Sequence, residues 1–304
     1  MSTSKKYFFI PVCLLRDLAV NRVEAIDNIF YYGIYHFAMT ANFDEYTLIS
    51  KFVYAALRKK DTIPINIVSK IEEINHEFFL LDEFAFNSSG DFEPEEVISD
   101  FLYGIFEKDS TLKNDVLEFA KVSASLDFYC ITSNIDKIIK LGRYVDNNVS
   151  DGYPRTNIRR DKLFEFYTND KSERELIKYA VYLSILSIVG KSKTPKLTNK
   201  KMVFARAFGY RNHKEICELE TKPKLYEKYT TETVSRNILN EVEDDWPLHA
   251  YRRKGMRGMY VAKSNLIDRA ALIEQVLAKR SSKKSRRSKD EEYEKLALQK
   301  LNLK

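Results

Sequence analysis

Residues Lys228–Lys263 run KYTTETVSRNILNEVEDDWPLHAYRRKGMRGMYVAK and hold, back to back, a helix with two unlike faces and a glycine-containing hairpin. Val234, Ile238 and Val242 recur every four residues with Leu239 beside them, the spacing of a helix that keeps one side in a core. Thr230 or Thr231 can cap its start, and Glu232 complements the helix dipole in the first turn. The opposite face carries Thr233, Arg236, Asn237 and Asn240, at i, i+3, i+4 and i+7. Arg presents paired donors to guanine O6 and N7, and Asn presents a donor and an acceptor to adenine N7 and N6, so these side chains suit base edges. A face built only to meet water more often carries Lys and Glu. Beyond Trp246-Pro247, which closes the helix against the hairpin, Leu248–Tyr251 and Met259–Ala262 have the pattern of two strands. The connection between them, RRKGMRG, holds Arg252, Arg253, Lys254 and Arg257 with two glycines. Glycine permits the tight reversal, and cations at a hairpin tip suit a phosphate chain or the minor groove.

Two helices precede this stretch. Ser172 with Glu175 three residues on is a capping-box start, Gly190 is a glycine stop, and Leu176, Ile177, Ala180, Val181, Leu183, Ser184, Ile185 and Ile188 between them predict a core helix. A second helix starts near Thr198 or Asn199, with Met202, Val203, Ala205 and Phe208 inward and Lys200, Lys201 and Arg206 free to face a phosphate chain, and Gly209-Tyr210 ends it. The linker Arg211–Tyr229 is longer than the turn of a tight helix-turn-helix and suits an insertion with a short helix around His213–Leu219, or else a different fold. Three helices followed by a two-stranded hairpin make a winged helix.

The segments SILSIVGKSK (184–193), TNKKMVFARAFGY (198–210), KYTTETVSRNILNEV (228–242) and RRKGMRGMYV (252–261) resemble winged-helix domains of replication-initiator and regulatory proteins carried by bacterial plasmids, phages and other mobile elements. The resemblance covers under a third of the chain, in one copy where the best-known plasmid initiators have two. It implies that the third helix enters the major groove through Thr233, Arg236, Asn237 and Asn240, and that Arg252, Arg253, Lys254 and Arg257 lie on the backbone; Thr231, at the start of that helix, is expected to bind DNA as well.

The rest of the chain gives a mainly α protein in three parts: a helical domain over 1–152, the winged helix over 153–265, and a helical, basic tail over 266–304. In the first part, Tyr7–Val12 is a short extended opening, and Val20–Met39 is apolar around most of its circumference, as a buried helix is. Helical patterns come next at Tyr46–Leu57, Ile65–Ile74, from Pro94, at Leu112–Phe128 and at Ile135–Val145, the last opened by Ser133. Asn87–Gly90 is a loop, and Asn147–Pro154 has dense turn chemistry and marks a boundary. In the tail, KRSSKKSRRSK (279–289) has seven basic residues in eleven and no apolar one, with Lys279, Arg280, Lys283, Lys284, Arg286 and Arg287 available to nucleic acid. It divides helical patterns at Leu266–Leu277 and Asp290–Leu301.

Charge is divided unevenly. Met1–Gly190 holds 22 Lys+Arg against 29 Asp+Glu, and Lys191–Lys304 holds 28 against 15, which together give the net +6. A basic end on an acidic one suits a DNA-binding part joined to a part that dimerises or recruits a replication or transcription partner. The three cysteines are odd in number and far apart, which fits buried thiols in a reducing compartment better than disulfides or zinc. The four histidines include no close pair, no phosphate-binding GxxxxGK[ST] or GxGxxG loop is present, and the acidic pairs Asp82-Glu83 and Glu95-Glu96 suit solvated helix ends, so no catalytic residue, metal or cofactor is expected. The opening has no signal-peptide pattern and no apolar run is long enough to span a bilayer, so the expected setting is the cytoplasm, on the nucleoid or on mobile-element DNA. The expected partner is double-stranded DNA. The alternative is a structural or adaptor protein of a phage or mobile element, in which the winged fold docks protein and the tail holds nucleic acid without selectivity.

Overall fold

A computed structural model describes residues 6–45, 47–49, 52, 104, 106, 109–129, 134–150, 152–169, 171–252 and 258–278. Among the described residues the protein is mainly α-helical with two small β-elements, a sheet of two strands and a sheet of three. It forms two compact units: Met1–Ile10 with Ile26–Gly152, and Pro11–Ala25 with Tyr153–Lys304. Among the described residues no helix is long and apolar enough to cross a membrane. The expected elements between Ser50 and Gly90, the helix from Pro94, the hairpin tip Arg253–Arg257 and the tail beyond Ala278 lie wholly or largely outside the described residues.

In the first unit, strand β1 (Tyr7–Pro11) leads in, and helices α1 (Arg22–Thr40), α2 (Ser110–Tyr129) and α3 (Ile135–Asn148) supply the packing. Phe8, Ile26, Ile29, Tyr32 and Ile34 are wholly or almost wholly buried. Gly33 leaves the space that the Phe8 ring fills, and Gly142 the space for Tyr35, so neither site tolerates a side chain. The Tyr32 hydroxyl donates to Asp146 Oδ1 at 2.8 Å, and Arg143 on α3 reaches both Asp115 and Glu118 on α2. Helix α3 is capped by Asn134, whose side chain accepts from Lys137 N, and not by Ser133 as its sequence suggests.

The second unit starts with a 3-10 turn (Val12–Leu15) and strand β2 (Arg155–Arg159). Helix α4 (Arg160–Thr168) precedes α5 (Glu173–Val189), the central helix of the unit. The predicted capping box is present at its start: Ser172 Oγ accepts from Glu175 N while the Glu175 carboxylate accepts from Ser172 N. It stops at Gly190, where φ is +57°. Strand β3 (Lys196–Thr198) leads to α6 (Lys200–Ala207), capped by Asn199, whose side chain accepts from Met202 N at 2.9 Å. Two short helices, α7 (His213–Cys217) and α8 (Lys224–Thr230), occupy the long linker before α9 (Glu232–Asp245). Strands β4 (Leu248–Tyr251) and β5 (Met259–Lys263) complete the sheet in the order β3-β5-β4, antiparallel throughout. A helical segment over 269–278 comes last, and its Leu272 and Val276, with Ile267, pack on Ala262 of β5.

Helix α5 is apolar nearly all round because it is covered on several sides: Leu176, Ile177, Tyr179, Ala180, Val181, Leu183 and Ile185 are all buried. Its one fully buried hydroxyl of a serine, on Ser184, donates to the Val203 carbonyl of α6 at 2.6 Å, so that group is paired despite its burial. Val203, Phe204 and Ala205 return the contact as the buried side of α6, while Met202 and Phe208, expected inward, are half-buried.

Candidate nucleic-acid interface

Helix α9 sits over α5 by burying Ser235, Ile238, Leu239 and Val242. Ser235 is the residue that periodicity alone leaves out: its hydroxyl donates to the Thr231 carbonyl at 2.5 Å, which lets a polar side chain lie in the core. One flank of α9 is tied to α5 by charge. Arg174 pairs with Glu241, and Lys178 reaches Asp245 at 2.6 Å and Glu241 at 3.6 Å. The ammonium of Lys178 also lies 5.9 Å from the Trp246 ring centre, and Trp246 stacks on Tyr182 of α5 at 5.4 Å. Two acidic groups of α9 are thereby engaged by its own scaffold.

With the core side and the α5 flank occupied, Thr233, Arg236, Asn237 and Asn240 are all exposed on the remaining face. Thr231 is exposed as well, but its side chain makes no capping hydrogen bond, so the first turn of α9 keeps its N–H groups. Arg236 is 61 % exposed and donates to Glu232 Oε1 at 2.9 Å, a pair one turn apart that sequence spacing allows but that the donor-rich character of this face conceals. Glu232 and Asp244 are exposed at the two ends of this face, with Arg236, Asn237 and Asn240 between them.

The hairpin begins directly after α9. Trp246 N donates to the Val242 carbonyl at 3.2 Å, closing the helix, and β4 starts at Leu248. Leu248 pairs with Lys263 and Tyr251 with Tyr260, so the connection 252–258 joins two adjacent antiparallel strands. Strand β3, which no alternation announces, adds to the outer edge of β5 through Thr198 opposite Met259. Gly258 has φ +114° and its α-carbon faces the Thr198 carbonyl so closely that a Cβ would collide with that oxygen. Lys263 Nζ donates to the Gly190 carbonyl at 2.8 Å, joining the end of β5 to the end of α5, and burial lowers its pKa.

Arg252, expected among the hairpin cations, is half-buried at the end of β4. One of its guanidinium nitrogens is shielded from solvent without an acceptor among the described residues, and burial pushes its pKa down, with Glu243 opposing that shift and the Arg236 charge adding to it. It therefore stands at the root of the hairpin, directly after β4. Arg253, Lys254 and Arg257 lie outside the described residues, as do the six tail cations from Lys279 to Arg287.

At the start of α6, Lys201 is exposed and Lys200 half-buried. Arg206 corrects its expectation: it turns inward, donating to Ser187 Oγ at 3.0 Å and the Arg211 carbonyl at 3.4 Å, so it serves packing between α5 and α6. The linker contributes Lys214, Lys222 and Lys224, all exposed, which the sequence shows as plain lysine density but which no helix periodicity singles out. His213 has its pKa lowered by burial and by Lys201 and Lys222, which places cations of α6 and of the linker near one ring. Its Nδ1 lies 3.0 Å from the Tyr226 hydroxyl and its Nε2 3.4 Å from Cys217 Sγ. Cys217, at the end of the five-residue α7, is exposed and Cys13 half-buried, against the expectation of buried thiols, while Cys130 lies outside the described residues.

Among the described residues, His, Cys, Asp and Glu nowhere gather in a group of three that could hold a metal ion. Known protein families, curated proteins and solved structures give no match to this chain.

Proposed function

We propose that residues 172–263 act as a winged helix and that the protein binds double-stranded DNA with sequence preference. The observation that carries this reading is the joint exposure of Thr233, Arg236, Asn237 and Asn240 on the one face of α9 that its scaffold leaves uncovered, directly before an antiparallel hairpin. Recognition helices use such a face, with the N-terminal half toward the bases. The element order α5-β3-α6-α9-β4-β5 and the sheet order β3-β5-β4 support it, with α7 and α8 as an insertion. Lys201 at the start of α6 and the cations Arg253, Lys254 and Arg257 then take phosphates, with Arg252 bracing the root of the wing. The basic tail, through Lys279, Arg280, Lys283, Lys284, Arg286 and Arg287, adds affinity without selectivity.

On the resemblance of its segments to mobile-element proteins, the role is replication initiation or transcriptional regulation, in the cytoplasm, with the acid-rich first unit making a homodimer or recruiting a partner. Selection from a random-core duplex pool tests this. An enriched motif with adenine and guanine positions is expected, and recovery of unselected DNA sinks the sequence preference. The second reading, a protein-docking module with a nucleic-acid tail, draws on the carboxylates Glu232 and Asp244 at the two ends of the face, which phosphates disfavour. A failure of residues 1–278 to bind duplex DNA at all would favour it.

A further inference from the structure

Glu232 is the acidic residue on the face proposed to meet DNA that holds one of that face's own readers. It is 80 % exposed, carries no packing role, and accepts from Arg236 at 2.9 Å. A carboxylate in the first turn of a helix is ordinarily accounted for by the helix dipole. Here it does something further, because it engages a side chain that the same face offers to bases: the Arg236 guanidinium donates to Glu232 Oε1 one turn back along α9.

Resting on the duplex-DNA reading above, we infer that Glu232 is a specificity-determining latch: it holds Arg236 back from phosphates and releases it only to a base edge that more than replaces the bond given up. A guanine offers O6 and N7 to one guanidinium, a bidentate acceptor where the carboxylate supplied a single hydrogen bond. A single phosphate oxygen offers less and lies beside a chain that repels Glu232. The latch therefore weakens binding to arbitrary sequence more than binding to a site with guanine at the right step. The same logic makes Glu232 a poor phosphate neighbour by its position, since removing unwanted partners is as effective for selectivity as improving the wanted one.

The test uses the full-length chain and two duplexes, the winner of a random-core selection and a scrambled duplex of equal composition, in the same salt. Glu232→Gln keeps size and exposure, and a thermal melt equal to the parent checks that folding is untouched. Expected is a rise of about threefold to fivefold in affinity for the scrambled duplex, the size of an exposed ion pair, with a smaller change for the selected one. In an Arg236→Ala background the same change should leave the selected-to-scrambled ratio unaltered. An unchanged ratio in the parent background overturns the latch. So does a selective loss on the winning duplex, which would make Glu232 a direct reader of cytosine, and so does an equal effect with and without Arg236, which would make it a general charge. If the parent enriches no duplex, the sequence preference on which the latch rests fails, a result distinct from any of these.

Discussion

Trp246 lies flat on Tyr182, ring centres 5.4 Å apart and planes 18° from parallel, so the last turn of α9 is pinned to the middle of α5. Tyr179, one of the largest buried side chains, continues the stack to Phe166 on α4 at 4.1 Å. This column of rings orients the exposed face of α9, because a helix rotated about its axis would pull Trp246 off its partner. Aromatic pairs of this kind contribute beyond their buried area.

Trp246→Ala is therefore expected to cost about 2–4 kcal/mol in unfolding free energy, through lost ring contacts and a partly filled cavity. Urea titration followed by far-ultraviolet circular dichroism measures it. Trp246 is the single tryptophan of the chain, so in the parent protein its fluorescence reports the same contact, and its red shift should coincide with the loss of helix. A variant as stable as the parent would show that the stack does not hold α9.

Gly258 predicts a backbone effect. At φ +114° an alanine is strained, and its Cβ would strike the Thr198 carbonyl, so β3 must separate from β5 or the hairpin must re-form. Gly258→Ala should destabilise by about 2 kcal/mol or more and should speed amide exchange at Tyr260, whose strand pairs on both sides. Normal exchange at Tyr260 in a stable Gly258→Ala protein would rule out the close approach.

How much of this was legible in the sequence depends on where the determining contacts lie. Helix α5 announces both ends locally, through Ser172, Glu175 and Gly190, and the core side of α9 follows the four-residue spacing of Ile238 and Val242 with Leu239 beside them, although Val234, read into the same stripe, is only half-buried. The strands of the hairpin were legible for the same reason, since Leu248–Tyr251 and Met259–Ala262 flank a turn-rich connection, and the second strand runs one residue further, to Lys263. Strand β3 was not: three residues carry no alternation, and Lys196–Thr198 becomes a strand only because β5 offers it an edge. Helix α4 and helix α8 escaped because short helices owe their existence to packing, although Pro223 marked the start of the second. Arg206 and Arg252 show the limit most clearly. Both read as phosphate-facing cations, and both are drawn into the scaffold because long side chains can bury their stems where no pattern records it.

Acid should loosen the α5–α9 and α5–α8 contacts. Hydrogen bonds from Lys228 and Tyr229 hold the Glu173 carboxyl below its ordinary value of 4.5, and Arg174 does the same for Glu241. For a group with a depressed folded pKa the unfolded chain binds more protons, so its stabilisation is complete above 4.5 and is lost as pH falls through the folded value. Both carboxylates keep about a third of their surface in water, which screens the pairs and makes the slope shallow. Urea midpoints should be flat from about pH 7 to 5.5 and decline below about 4.5. Glu241→Gln should lower the midpoint at neutral pH and flatten that decline, and an unchanged acid limb would remove the pair from the account.

Arg236 and Lys254 are expected to fail differently, and the difference separates base reading from phosphate contact. Arg236→Ala removes paired donors from the exposed face of α9, so it should lose about 1–3 kcal/mol on the selected duplex, concentrated at one or two base pairs, and little on scrambled DNA. Lys254→Ala should weaken all duplexes alike and reduce the slope of log affinity against log salt by about one. If the parent protein contacts about six to ten phosphates, its affinity should fall by roughly a thousandfold or more between about 50 and 200 mM salt. Fluorescence anisotropy with labelled duplexes at several salt concentrations measures all three. Equal losses from Arg236→Ala on selected and scrambled duplexes would remove α9 from the groove, whatever the salt slope, because a residue that reads bases cannot be indifferent to them.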